Sequence, residues 1–483
     1  MRYLARRYGE FHGFRIPDVV SAGDNRLPKQ SLESRRNSEF IWGDIVVLNR
    51  ADRRNARNFV NYVLMARYRY PDKILYLPAF GLPFDYPVLF YLGIDILDDS
   101  PIFLLGDERC VSEFGVYVST KCIEENLRTK DRILNLINTS LEHGKFRELV
   151  ENLSVTSFSR EALRISDLEF YERMERFMDF RKRRINAINV ESIHRPEVVN
   201  FRKRVLSLSQ TADNLLLIPC SAVKPYSRSK THRILRSAIW DYLQGIQEVI
   251  VTSPLGLVPR EVENFFPAAD YDIPVTGHWF GEEKDVLFDL ATNYFSGKSY
   301  SNVFYILPRD EAGMVKIFEG AIGVEGSINY ENSEKIRKII EGKDIKGNRI
   351  TKEKKEIANV LRYLYSVDLG WEDISLKSEG NRKFIIHKGK YLAKVTESGV
   401  RMMSGLAELL HSRGVRVVEV DGVFKGSNVF IPGIKKISQD VRPGMEVVLV
   451  NEGVEVGSGI SQLADFDMRI EKKGVGITDV SYF

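Results

Sequence analysis

Residues 219–232 read PCSAVKPYSRSKTH, and they gather groups that could do chemistry. Cys220 follows an apolar run, NLLLIP, that reads as a buried strand. Lys224, Tyr226, Ser229 and His232 then crowd the loop that leads into THRILRSAIWDYLQG (231–245), an amphipathic helix. A cysteine between a strand end and a helix N-terminus sits where its thiolate is favoured, because the helix dipole and a nearby Lys or His cation lower its pKa. Thiolate is the nucleophilic form, so covalent catalysis is one expectation. His232, in the first turn, could shuttle a proton if it faces the loop. Ser227 or Ser229 can cap the helix, and Tyr226 can stack or donate a hydrogen bond. Each residue also has a plainer use. A lone cysteine in apolar surroundings is most often a small core hydrophobe. A first-turn histidine is more often a surface group, and Lys224 alone would be an ordinary surface charge.

The elements around this stretch must hold it. THRILRSAIWDYLQG places Leu235, Ala238, Ile239 and Tyr242 on one face, and Gly245 suits its end. EVIVTSP (248–254) and NVFYILP (302–308) read as two further strands, so 196–325 predicts a Rossmann-like layered domain with a three-strand parallel core. Ligands in such sheets bind outside the carboxyl ends of the strands. Cys220, Ser253 and Pro254 lie at two such ends. Residues 1–195 alternate strand-like segments (IVVLN, KILYLPAF, PIFLL) with helical ones, which predicts an α/β domain of barrel type or part of one. Residues 142–188 read as helical and charged. Arg181, Lys182, Arg183 and Arg184 form the densest basic run, which is either a solvated helix face or a phosphate contact. Residues 326–412 predict a small α+β domain with a hairpin at 383–396 and a helix at 404–414. Residues 413–483 predict short strands between Gly and Asp turns, a small barrel.

Composition bounds the rest. The 483 residues imply about three or four domains. A net charge of +4 is too small to mark a nucleic-acid binder by itself, so local clusters matter more. Three cysteines without a CxxC pair give no zinc ribbon and no disulfide framework, which predicts a reducing, cytoplasmic setting. The start, MRYLARRYGEFHGF, is not a signal peptide, and no apolar run is long enough to span a bilayer. No metal or cofactor site is read.

The pattern Pro219-Cys220, Lys224-Pro225-Tyr226, Ser229, His232 fixes seven of fourteen positions. It resembles the signature of the archaeosine synthases, a family descended from the archaeal tRNA-guanine transglycosylases. SPLGLVPREVE (253–263), YDIPVTGHW (271–279) and HRPEVVNFRKRV (194–205) resemble the same family. VVEVDGVFKGSNVFIPGI, RPGMEVVLV and VEVGSGISQL resemble a PUA domain, a small RNA-binding barrel. LGIDILDDS (92–100) echoes a transglycosylase barrel segment, while that family's zinc cluster is absent. The resemblance therefore implies four parts: a degenerate transglycosylase-like, TIM-type domain (1–195), a synthase catalytic domain (196–325), a small connecting domain (326–412) and a PUA domain (413–483).

The resemblance also implies a reaction. A nitrogen nucleophile, with the side-chain amine of free L-lysine preferred over glutamine or ammonia, adds to the nitrile of 7-cyano-7-deazaguanine in the D-loop of tRNA. Cys220 would attack the nitrile, His232 would move protons, and Lys224, Tyr226 and Ser229 would hold substrate or thiolate. Ser253, Pro254, Asp272, His278 and Glu282 would bind substrate, the last three by recognising the amino acid. Lys425, Lys435, Lys436 and Arg442 of the PUA region, helped by the 181–184 run, would contact tRNA. A radical SAM partner enzyme and a homodimer are further expectations of the family. Two other readings stay open: a non-catalytic tRNA-binding subunit, and an active base-exchanging transglycosylase.

Overall fold

A computed structural model describes residues 8–11, 13–28, 38–274, 278–380, 382–396, 399–422 and 426–483. The chain divides into two units. One comprises Met1–Phe180, Val418–Val447 and Ile460–Val480; the other comprises Arg181–Val417, Val448–Gly459 and Ser481–Phe483.

In the first unit, strands β1 (Asp18–Val20), β2 (Glu39–Trp42), β3 (Ile45–Leu48), β4 (Ile74–Leu77) and β5 (Ile96–Asp98) form one sheet in the order β1-β5-β4-β3-β2. All its pairs are parallel except the β2–β3 hairpin at the edge. Helix α1 (Ala56–Arg69) buries Phe59, Val60, Val63 and Leu64 as one stripe, and the Asn55 side chain caps it by accepting from the Asn58 N–H at 2.9 Å. Among the described residues the sheet is open, with β1 and β2 as free ends, so the barrel expectation is corrected to a five-stranded open sheet. PIFLL is corrected from strand to helix, Ser100–Leu104. Pro101 suits the first helical turn, and only Ile102 is buried while Phe103 and Leu104 are 51% and 79% exposed. Cys110 and Cys122 do not stand alone: they form a disulfide between the strand Arg109–Ser112 and the start of helix Cys122–Glu142. The premise of the reducing-compartment expectation is therefore removed.

The stretch 142–188 is not one helical run. Helices Phe146–Leu153, Ser157–Leu168 and Tyr171–Glu175 end before the basic residues, which lie in irregular chain ahead of the strand Ile185–Asn186. The C-terminal region forms a six-stranded sheet, β15 (Val417–Val420), β16 (Val429–Phe430), β17 (Ile434–Ile437), β18 (Glu446–Asn451), β19 (Val454–Ser461) and β20 (Val475–Tyr482), in the order β16-β20-β19-β18-β15-β17. Its helix Asp465–Ile470 sends Phe466 into the core of the first unit, edge-on to Phe177 at 5.5 Å.

The second unit holds the sheet that positions the site. Strands β6 (Asn214–Pro219), β7 (Ile246–Thr252), β8 (Gly256–Pro259), β9 (Asn302–Leu307) and β10 (Ile322–Glu325) lie in the order β8-β7-β6-β9-β10. Four are parallel, one more than the sequence predicts, and β8 folds back antiparallel onto β7. β6 and β7 are buried along their whole lengths, which explains the apolar runs Leu215–Pro219 and Val249–Val251 within them, while Gln247 and Glu248 of β7 are buried polar residues. The helix expected over 231–245 stops at Ala238 and continues as a 3₁₀ segment, Trp240–Gly245. Leu235 and Ile239 of its apolar face are fully buried. The small α+β portion is an antiparallel sheet of β11 (Ile374–Glu379), β12 (Arg382–His387), β13 (Lys390–Thr396) and β14 (Gly399–Met402), packed by helix Ser404–Ser412. Among the described residues no helix is long and apolar enough to cross a membrane, and no group of three or more His, Cys, Asp or Glu side chains is placed to hold a metal ion.

Candidate active site

A cavity of about 390 Å³ opens at the carboxyl ends of β6, β7 and β9, as the sheet topology leads one to expect. Its wall includes Cys220, Ser253, Trp279, Glu283, Glu311 and Ile328. Strand β6 delivers Cys220, whose N–H donates to the Val251 carbonyl at 3.1 Å. Ser253 follows β7 directly. Gly256, at a φ of 80°, lets the chain turn into β8, and a Cβ there would lie 2.5 Å from Leu290. Helix Gly281–Phe295 closes one side with Glu283, which accepts from the Phe280 N–H at 2.8 Å and from the Ser253 hydroxyl.

Cys220 is partly buried and, among the described residues, is the free cysteine of the chain. The surroundings of its thiol disfavour the thiolate. Burial and the nearby Glu311 push its pKa up, outweighing the opposite pull of Thr252 and Lys224. The expected thiolate is corrected accordingly. The dipole argument fails because the first helical element after Cys220 is a short 3₁₀ turn at Tyr226–Arg228, and the α-helix begins only at Lys230.

Pro219 also lines the cavity, whereas Lys224, Tyr226, Ser229 and His232 of the motif do not. Ser229 caps the helix, its Oγ accepting from the His232 N–H at 3.2 Å. His232 is fully buried. Its Nε2 donates to the Pro219 carbonyl at 3.0 Å, and its Nδ1 accepts from the Arg260 guanidinium at 3.0 Å. Burial first, then the Arg260 charge, hold its pKa down at about 3. With both ring nitrogens engaged and burial holding the ring neutral, His232 is tied into the scaffold here rather than facing the loop as the proton-shuttle expectation requires. Arg260 also pairs with Glu248 at 2.9 Å and Glu263 at 2.7 Å. Burial alone would raise the Glu248 pKa, but Arg260 and Arg236 prevail and hold it at about 2.

Tyr226 is likewise buried. Its ring stacks on His232 with centroids 5.8 Å apart, and its hydroxyl meets that of Tyr271 at 2.5 Å. A Tyr226 hydrogen bond to substrate is therefore replaced by one to Tyr271. Lys224 sits over the Tyr271 ring with its Nζ 4.1 Å from the centroid, and burial lowers its pKa.

The expected substrate-binding set divides. Ser253 and His278 line the cavity. Pro254 is buried, and its carbonyl accepts from Arg202. Asp272 is half exposed and pairs with Arg184 at 2.6 Å, and Glu282 pairs with His194 at 2.7 Å; neither lines the cavity. Its place there is taken by the next residue, Glu283. Sequence reasoning also missed Glu311, from the helical turn Arg309–Ala312 that follows β9. It is 5% exposed, lines the cavity, and its Oε2 has no hydrogen-bond partner among the described residues. The available signal was its position just past a strand's carboxyl end.

The expected RNA contacts are also partly engaged. Lys182 pairs with Asp270 at 3.5 Å, Arg183 with Glu197, and Arg184 with Asp272; Arg181 is partly buried. Arg442 is corrected from a surface contact to a structural residue. Its guanidinium is largely buried, donates to the Gln439 and Val441 carbonyls, and pairs with Asp465 at 3.3 Å. Lys435 pairs with Asp421 at 2.9 Å, Lys436 is exposed on β17, and Lys425 lies outside the described residues.

Residues 198–340 match a family described as a domain of unknown function, DUF5591, and residues 415–478 match the PUA domain. An archaeosine synthase subunit alpha from Thermoplasma acidophilum is 28% identical over 98% of this chain and 97% of its own length. One from Thermococcus kodakarensis is 29% identical over 87% of this chain and 77% of its own. A tRNA-guanine(15) transglycosylase from Methanococcus aeolicus is 25% identical over 69% of this chain and 49% of its own. The chain is thus similar over most of its length to archaeosine synthases and more distantly to tRNA-guanine transglycosylases, and its residues 415–478 match the PUA domain.

Proposed function

We propose that this protein is a tRNA-modifying enzyme of archaeosine biosynthesis. It adds the side-chain amine of free L-lysine to the nitrile of 7-cyano-7-deazaguanine in the D-loop of tRNA. The observation that carries this reading is the free Cys220 in a cavity at the carboxyl edge of a parallel sheet. A nitrile carbon is electrophilic, and a cysteine sulfur adds to it to form a thioimide. The incoming amine then displaces the sulfur, which splits one hard addition into two easier ones. Ser253 and Glu283, held together at the cavity wall, supply a hydroxyl and a carboxylate for the polar groups of the base or the amine. Trp279 supplies an aromatic face beside them. The nucleoside leaves its stack to reach Cys220. The PUA domain grips the tRNA, with Lys436 as an exposed cation on it. A product that carries a whole lysine calls for a second enzyme, a radical SAM partner, to release the amidine.

Reconstitution tests the reading. Protein is mixed with tRNA carrying 7-cyano-7-deazaguanine and with lysine, glutamine or ammonium separately, and the digested nucleosides are weighed. A gain of one lysine supports the proposal. A gain of ammonia alone moves the donor. Tight tRNA binding with no mass change under any donor favours a tRNA-binding subunit instead.

A further inference from the structure

We infer that Glu311 is the proton carrier for Cys220: its carboxyl takes the thiol proton as sulfur attacks and hands a proton to the nitrile nitrogen. This rests on the function proposed above.

Four observations lead to Glu311. First, it lines the same cavity as Cys220, and it does so from the end of β9, the strand that pairs directly with β6. Second, its side chain is 5% exposed, yet Oε2 has no hydrogen-bond partner among the described residues. A buried carboxyl oxygen without a partner costs free energy in the resting protein and offers a site to an incoming group. Third, the neighbouring acids are engaged. Glu283 accepts from Ser253 and from the Phe280 N–H. Asp310 accepts from the Trp279 N–H at 3.0 Å and pairs with Lys284 at 3.0 Å. Fourth, the other bases of the motif are engaged elsewhere. Both nitrogens of His232 are engaged, and Lys224 lies on the Tyr271 ring. Burial, followed by the Asp310 charge, pushes the Glu311 pKa up to about 8. The Cys220 thiol is raised as well, so near neutral pH two uncharged acids share the cavity.

An uncharged carboxyl can act at both ends. Its carbonyl oxygen accepts the proton as the S–H bond breaks, and its O–H gives a proton to nitrogen. The S–C bond forms, one π bond of the nitrile opens, and the product is a thioimide. The carboxyl ends neutral, as it began. In the second step the amine nitrogen bonds to the same carbon and the C–S bond breaks. The amine's proton returns through the carboxyl to sulfur, which restores the thiol.

The test uses the full chain, tRNA carrying 7-cyano-7-deazaguanine and the donor that supports wild-type turnover. Glu311→Gln keeps the size and neutrality of the resting carboxyl but cannot relay a proton. The expected result is turnover reduced at least ~100-fold, with melting temperature and tRNA affinity unchanged. A second readout needs no substrate: the pH dependence of Cys220 alkylation by iodoacetamide, with Cys110 and Cys122 held in their disulfide. Lys224, His278, Glu283 and Asp310 stay the same in both proteins, so a shift reports on Glu311. Removing the Glu311 charge moves the alkylation midpoint to lower pH in Glu311→Gln. Turnover within about twofold of wild type, or an unmoved midpoint, overturns the inference. If wild type leaves the tRNA unmodified with every donor, the proposed function fails by itself, and the alkylation midpoint still decides whether Glu311 and Cys220 are paired.

Discussion

The two sides of one fourteen-residue stretch behave differently. Cys220 and its neighbours Ser253, Glu283 and Glu311 face a cavity. Tyr226, Ser229 and His232 face inward, where they meet Tyr271, Arg260 and the start of the helix. The inward side is a scaffold. It pins Pro219 through His232 and fixes the loop that ends at the helix cap. The cavity side keeps a thiol outside any disulfide and, among the described residues, one carboxyl oxygen of Glu311 without a hydrogen-bond partner. A motif of chemically capable residues is thus not a roster of catalytic ones. What separates them is whether their polar atoms are already satisfied.

That division can be broken most sharply at Cys220. Cys220→Ala is expected to lower turnover by about a thousandfold or more, since no covalent step remains. Its folding stability is expected to change by less than about 1 kcal/mol, because the site is only partly buried. Nucleoside mass spectrometry and a denaturant titration measure the two. His232→Ala should do the reverse. Removing it leaves the Pro219 carbonyl and a buried Arg260 N–H without their partner, at a cost of about 2–4 kcal/mol. Turnover per folded molecule should stay within a few-fold of wild type. Loss of turnover without loss of stability would move His232 back to the chemical side.

The pH dependence of stability sharpens the same contrast. The His232 pKa falls from 6.5 when free to about 3 when folded. The unfolded chain therefore takes up a proton that the folded chain refuses. Stability from this group is complete above about pH 6.5 and is lost as pH falls toward 3, with a total on the order of a few kcal/mol. His232→Gln should flatten that slope in acid denaturation followed by circular dichroism. The smallest effect is expected in the 181–184 run. Arg184 is already paired with Asp272, so Arg184→Ala should change tRNA affinity by no more than about twofold. Lys436→Ala, removing an exposed cation, should weaken binding more and lower its salt dependence by about one counterion. Filter binding across a salt series separates the two.

Much of the scaffold was legible because burial leaves a simple trace. β6 and β7 are buried on both faces, so Leu215–Pro219 and Val249–Val251 read as short apolar runs and point to a parallel sheet. The hairpin at 383–396 carries its turn at Lys388 and Gly389, both at positive φ. PIFLL misled because apolar content says nothing about exposure, and Pro101 favours a helix start. The Cys110–Cys122 link was hidden because a spacing of twelve gives no local sign that a hairpin and a helix end will meet. In the site, the motif pointed correctly to the strand end and the cavity. It could not show which way His232 points, because that depends on Arg260, twenty-eight residues away. Glu311 carried no motif at all; only the pairing of β6 with β9 brings it to Cys220.

The most direct test of the central claim is to look for the bond between Cys220 and the base. Protein and tRNA carrying 7-cyano-7-deazaguanine are mixed without any amine donor, then digested with nuclease and trypsin. Mass spectrometry of the peptide containing Cys220 is expected to show the added mass of the modified nucleoside, lost again when lysine is supplied. An unmodified Cys220 peptide, in a preparation that turns over once lysine is added, would contradict covalent catalysis and leave the cavity only the task of orienting the two reactants.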